Sequence, residues 1–133
     1  MKNKLNCIML IDDDEDDNFF HEKEIIENNL AKTVIVKDSV RKALEYLKTK
    51  NDPSSDLIFL DINMPGMSGW DFLEEYKKLD KELQNKTIII MLSTSSNPKD
   101  IQKAMASASV SDYINKPLKK EMVEAILEKH FKK

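Results

Sequence analysis

Residues 57–73 read LIFLDINMPGMSGWDFL. Four consecutive apolar residues, Leu57 to Leu60, run into an acid, Asp61; a loop holding Pro65 and both glycines of the chain, Gly66 and Gly69, follows. An apolar run this short and uniform is a strand covered on both faces, as in a parallel sheet. Beyond the loop, Phe72, Tyr76, Leu79 and Leu83 recur at helical spacing, with Trp70 as a packing residue in the first turn. Strand, acid, loop, helix is the unit from which the rest can be read.

The same unit recurs outward in both directions. Cys7 to Ile11, Val34 to Val36, Ile88 to Leu92, and Tyr113 to Ile114 supply four more short strands. Between them lie helical patterns: Phe19, Phe20, Ile25, Ile26 and Leu30; Val40, Ala43, Leu44 and Leu47 behind a Ser39 cap; Ile101, Ala104, Met105 and Ala108 after Asn97 and Pro98; and Leu118, Met122, Ala125 and Ile126. All four prolines fall between elements. Five alternations imply right-handed crossovers and an α/β fold, a doubly wound five-stranded parallel sheet with five helices. At 133 residues, the expectation is one domain spanning 1–133 with no effector domain attached.

Composition narrows the chemistry. Two glycines three residues apart cannot supply a Walker loop, a dinucleotide GxGxxG or a GxSxG elbow. One cysteine, Cys7, excludes an internal disulfide and reads as a core thiol, while His21 and His130 read as helix-surface residues. No apolar run approaches a membrane span of about 20 residues, so the expected protein is soluble and cytoplasmic. Net charge is −3, yet Asp12 to Asp17 is an unbroken run of six acids without which the balance would be +3. The acidity is local, and no basic stripe interleaved with aromatics supports a nucleic-acid partner.

In open parallel sheets ligands bind at the carboxyl ends of the strands. Here those ends carry Asp12 and Asp13, Asp61, Ser93 and Thr94, and Asn115 and Lys116. Clustered carboxylates repel unless a hard cation neutralises them, and magnesium, with its oxygen ligands, is the natural occupant. A lysine in the same place makes sense if a phosphoryl group arrives and its charge is shared between metal and ammonium. With no phosphate cradle for a nucleotide, the acceptor is expected to be an aspartate of the chain itself. Either hydroxyl, Ser93 or the rival Thr94, can serve, with Ser93 favoured; Asp14 to Asp17 read simply as a solvated helix start.

The segments MLIDDDEDD (9–17), LIFLDINMPGMSGWDFL (57–73), IIIMLSTSS (88–96) and DYINKPL (112–118) resemble, in order, the receiver domains of bacterial two-component response regulators. The resemblance implies the flavodoxin-like strand order 2-1-3-4-5. It implies Asp61 as phosphoacceptor, Asp12 and Asp13 with Asp61 and the Asn63 backbone carbonyl as Mg2+ ligands, Ser93 and Lys116 on the phosphoryl group, Tyr113 as aromatic switch, and a Lys116–Pro117 bond that is cis in many members. It further implies a phosphorylation-dependent switch, not a metabolic enzyme, loaded by a histidine kinase or histidine phosphotransfer protein. The output would act on a downstream protein through the surface of the helix after Asn97, the fifth strand and the last helix. The ASASVSD stretch (106–112) departs from the family's Gly-Ala pattern before strand five. STSSNP (93–98) and the long acidic run resemble stand-alone regulators associated with phytochrome-like and hybrid kinases.

Two rivals follow from the same residues. One is a phosphate sink or shuttle without a downstream target. The other is a magnesium-dependent phosphatase of the haloacid dehalogenase class, whose DxD motif follows the first strand, whereas Asp61 follows the third and has Asn63 two residues on.

Overall fold

The computed structural model describes residues 5–49, 55–94 and 97–131; Ser95 and Ser96 of the STSSNP segment lie outside them. Five strands, β1 (Leu5–Ile11), β2 (Ala31–Lys37), β3 (Leu57–Leu60), β4 (Ile88–Ser93) and β5 (Asp112–Asn115), form one parallel sheet in the order β2-β1-β3-β4-β5. Among the described residues the strands are joined and followed by six helices: α1 (Glu15–Glu27), α2 (Val40–Lys48), α3 (Gly69–Tyr76), α4 (Lys81–Lys86), α5 (Pro98–Ala106) and α6 (Lys120–His130).

Alternation along the central strands sorts side chains into two cores. Met9, Ile11, Ile58, Leu60, Ile89 and Met91 meet α2, α3 and α5 on one face. Ile8, Leu10, Leu57, Phe59, Ile90 and Leu92 meet α1 and α6 on the other. Strands buried on both sides are why the sequence shows continuous apolar runs.

The sixth helix corrects the expected five. Leu79 and Leu83 keep helical spacing from Tyr76, but α3 stops at Tyr76, and Asp80 starts α4 by accepting the Glu82 N–H (2.9 Å). The break is sealed by Gln84, whose amide donates to the carbonyls of Lys77 (3.2 Å) and Leu79 (2.7 Å) past the end of α3.

Helix faces are corrected too. The expected apolar face of α1 is mostly outside: Phe19 and Phe20 are each 62% exposed and Ile26 is also exposed, while Asn18, His21 and Ile25 point inward. This helix covers a polar rim, so its inner stripe is polar. In α5 only Ala104 is buried, Met105 is exposed and Ala108 lies beyond the end. In α6 the buried stripe is Val123, Ile126 and Leu127, with Leu118 buried in the loop before it and Ala125 exposed. The predicted caps hold: Ser39 accepts from Lys42 N–H (3.2 Å), and Asn97 accepts from Lys99 N–H (2.9 Å) just before Pro98. Cys7 is buried, as expected of a core thiol, and half-buried Trp70 packs on the α3 side with Lys103 Nζ 4.5 Å from its ring centre.

Candidate functional site

β1 and β3 are adjacent, so their carboxyl ends deliver Asp12 and Asp61 side by side. Carboxylate oxygens of Asp12, Asp13 and Asp61 all lie within 4.8 Å of one another. Asp12 and Asp61 are buried and Asp13 is exposed, so the cluster opens to water on one side. Asp12 is fixed on three sides. Its Oδ1 accepts from Asp14 N–H (3.0 Å), its Oδ2 accepts from Lys116 Nζ (2.6 Å), and its carbonyl accepts from the Asn18 amide (2.8 Å).

Octahedral Mg2+ at about 2.0–2.1 Å needs oxygens about 2.9 Å apart when adjacent and about 4.2 Å when opposite. One carboxylate oxygen from each of the three residues comes within reach of such a shell, and the solvent side leaves room for the waters this ion keeps. The donor set, hard oxygen throughout, fits the ion. Asn63 is exposed in the loop two residues after Asp61.

Lys116 reaches the cluster from the end of β5. Its ammonium bonds Asp12 and also Asp17 Oδ2 (2.8 Å), and stands 3.7 Å from Asp61 Oδ1. Burial works against the charged lysine, but the hydrogen bonds and charges of Asp12 and Asp17, with the charge of Asp61, outweigh it and hold Lys116 above its ordinary value. Asp61 is different. Burial and the neighbouring Asp12 push its carboxyl from 3.8 up to about 6, against the pull of Lys116. A cation or a covalent bond at Asp61 would relieve this unfavourable charge.

Ser93 ends β4 at 0% exposure, whereas Thr94 is exposed in the bend that follows. The Ser93 carbonyl accepts from Lys116 N–H (2.9 Å), tying the end of β4 to the lysine loop. Tyr113 pairs with Met91, two residues before Ser93, and packs half-buried against the core on the α5 side. The Lys116–Pro117 bond is cis.

Two residues escaped the sequence reading. Asp17, taken there for part of a solvated helix start, is a direct partner of Lys116. His21, expected on the surface, is buried, and its Nε2 accepts from Leu118 N–H (3.3 Å). Burial, opposed by Asp17, holds its pKa below the ordinary 6.5, so the ring is neutral at pH 7. Asp17 is one helical turn from Asp13 and His21 one turn from Asp17, the only signal in the sequence that they share the inner face.

A parallel 2-1-3-4-5 sheet with an acid cluster and a lysine at its carboxyl rim is the architecture of a receiver, and residues 8–128 match the response regulator receiver domain family, to which the chain belongs. A two-component response regulator from Cytophaga hutchinsonii superposes with a TM-score of 0.90 at 30% identity, covering 98% of this chain and all of that one. A response regulator receiver protein from Dyadobacter fermentans gives 0.88 at 25% identity, covering 96% and 98%. The rice regulator ORR12 is 31% identical over 112 residues, 84% of this chain and 87% of its own. Two hybrid signal transduction histidine kinases of Dictyostelium discoideum, L and C, match at 30% and 34% identity, and the chain spans only 5% and 8% of their lengths. The family is a signalling family of two-component systems. Among the described residues, no helix is long and apolar enough to cross a membrane.

Proposed function

We propose that this receiver domain is a phosphorylation-dependent switch in which Asp61 accepts a phosphoryl group from a histidine kinase or a histidine phosphotransfer protein. The observation that carries the proposal is the convergence of Asp12, Asp13 and Asp61 within 4.8 Å, with the Lys116 ammonium 3.7 Å from Asp61. An Asp61 oxygen attacks phosphorus, forming an acyl phosphate, while the bond from phosphorus to the donor nitrogen breaks and its electron pair stays with the donor. Asp12, Asp13, Asp61 and the Asn63 carbonyl would hold Mg2+, whose chemistry there would be to offset negative charge on the transferred group. Lys116 neutralises a further share, and the Ser93 hydroxyl donates to a phosphoryl oxygen. The new charge, about −1.5 to −2, draws Ser93 toward the group, and Tyr113 follows, altering the surface of α5, β5 and α6 that a downstream protein reads.

Acetyl phosphate with Mg2+ tests the acceptor. Intact mass after borohydride trapping should show one label in the wild type, on Asp61, and none in Asp61→Asn. A label that persists in Asp61→Asn at a carboxylate of the cluster would overturn the assignment.

Readout is expected to depend on residue 93. Ser93→Thr should keep the response of amide shifts around Tyr113 to a beryllofluoride mimic, Ser93→Ala should lose most of it while still accepting phosphate, and Thr94→Ala should be close to wild type. A full response in Ser93→Ala with loss in Thr94→Ala would transfer the role to Thr94.

A further inference from the structure

Asp17, His21 and Glu24 stand at i, i+4 and i+7 on α1, one face of the helix. Opposite them runs the segment that joins β5 to α6, and every second residue of it meets one of the three. The Lys116 ammonium bonds Asp17 (2.8 Å), the Leu118 N–H donates to His21 Nε2 (3.3 Å), and the Lys120 N–H donates to Glu24 Oε2 (2.7 Å).

The two backbone contacts answer a need of the fold. The residue before α6 is Lys119, in extended conformation and with no side-chain bond to the helix, because an ammonium has no lone pair to offer. A helix start without a cap leaves its first N–H groups unpaired. Glu24 accepts the first of them from another helix, and its negative charge suits the positive end of α6. Leu118 is buried, so its N–H cannot turn to water, and His21 is the acceptor it finds. An accepting Nε2 is the unprotonated nitrogen, which places the proton of the neutral ring on Nδ1.

Lys116 lies between these anchors and the end of the sheet. Its own N–H is held by the Ser93 carbonyl (2.9 Å), and two residues on, the chain is held by His21. A lysine ammonium rides on a flexible stem, so the position it favours depends on where the backbone starts it. Held only at Ser93, the backbone could pivot there. Held at Ser93, His21 and Glu24, it launches the side chain into the cluster.

We propose that His21 and Glu24 are positioning residues for the phosphoryl-transfer step, fixing the Lys116–Lys120 backbone so that the ammonium meets the phosphoryl group on Asp61. The proposal rests on the function proposed above. The hydrogen bonds of both residues go to backbone N–H groups and not to the cluster carboxylates, so their loss leaves the expected Mg2+ ligands in place.

The test compares His21→Leu and Glu24→Ala, which delete the acceptors, with His21→Gln and Glu24→Gln, which offer an amide oxygen as acceptor near the same place. Each protein is labelled with acetyl phosphate at saturating Mg2+, and Mg2+ affinity is measured by calorimetry. Hydrogen exchange is followed at the amides of Leu118 and Lys120. Both deletions should lower the maximal labelling rate about tenfold, less than the roughly hundredfold that a full ångström of misplacement can cost, because Lys116 stays tied to Ser93. Mg2+ affinity should not fall, since the carboxylate ligands are kept and an ammonium drawn away from Asp12 removes a competing cation. Exchange should quicken at Leu118 in the first deletion and at Lys120 in the second, and the glutamine variants should recover most of the rate.

Unchanged labelling in both deletions, a parallel fall in Mg2+ affinity, or glutamine variants as slow as the deletions would each overturn the positioning role. If His21→Leu does not fold, Glu24→Ala, at a half-buried site, decides by the same readouts. A wild type that takes no label on Asp61 would instead overturn the proposed function and this role with it, whereas normal wild-type labelling with unaffected variants overturns this role alone.

Discussion

Asp61→Asn is expected to make the metal-free protein more stable at neutral pH, by up to about 3 kcal/mol, although it removes the acceptor itself. The folded carboxyl is raised from 3.8 to about 6, chiefly by burial and then by Asp12. A raised acid binds its proton more tightly folded than unfolded. Below about pH 4 both states are protonated and the residue costs nothing; from about 4 to about 6 the unfolded chain ionises first and stability falls; above about 6 the loss is complete. Asparagine keeps the shape and has no charge to bury. Urea unfolding at pH 4 and pH 7, in a chelator, should show the two proteins alike at the lower pH and separated at the higher one. Added Mg2+ should stabilise the wild type and narrow the gap. Equal stability at pH 7 without metal would show that Asp61 carries no such penalty.

Gly69→Ala should cost about 3 kcal/mol or more, and the damage should be felt at the site. Gly69 opens α3 with its N–H bonded to the Ile62 carbonyl (2.8 Å). A methyl there would overlap the carbonyl oxygen of Asp61 and lie 3.0 Å from Ile62 Cα and 3.2 Å from the Asp61 carbonyl carbon. All of these are backbone atoms, which cannot swing aside as a side chain can, so either α3 retreats or the end of β3 moves. The second response displaces Asp61. Chemical denaturation together with acetyl phosphate labelling would check it: wild-type stability and wild-type labelling in Gly69→Ala would mean that the loop absorbs the methyl. Gly66 is the contrast, since nothing lies within 4 Å of a Cβ added there and its need for glycine comes from φ = +78°.

What could be read from the sequence follows from which signals are local. The five strands were legible because burial on both faces writes itself as an uninterrupted apolar run, and a parallel sheet then dictates which ends face the same rim. Asp12, Asp61, Ser93 and Lys116 can therefore be assigned to one rim from the sequence alone. The α3–α4 break was not legible, because Leu79 and Leu83 keep the helical spacing across it and the Gln84 contacts that seal it bridge five and seven residues. The inner face of α1 was inverted for a related reason. Hydrophobicity is a guide to the buried face only where the neighbouring surface is apolar, and α1 lies over Asp12 and Lys116, so Asp17, Asn18 and His21 turn inward and the two phenylalanines outward. Partners 97 and 99 residues apart, as for His21 and Asp17, leave no trace in local spacing.

The acid run from Asp12 to Asp17 occupies the end of β1, the cap and the first turn of α1, all at one rim of a molecule whose remaining residues sum to +3. Such an arrangement concentrates negative charge at the rim, and its influence is felt before anything touches. A small anionic donor meets a repulsive field on approach, while a protein that surrounds its phosphate with basic side chains is turned toward the rim from about a Debye length away, roughly 10 Å at 0.1 M salt. Ionic strength should thus act on the two kinds of encounter in opposite directions, speeding the first and slowing the second. On the function proposed above, part of the choice between donors would be made in solution, by the rate at which each arrives.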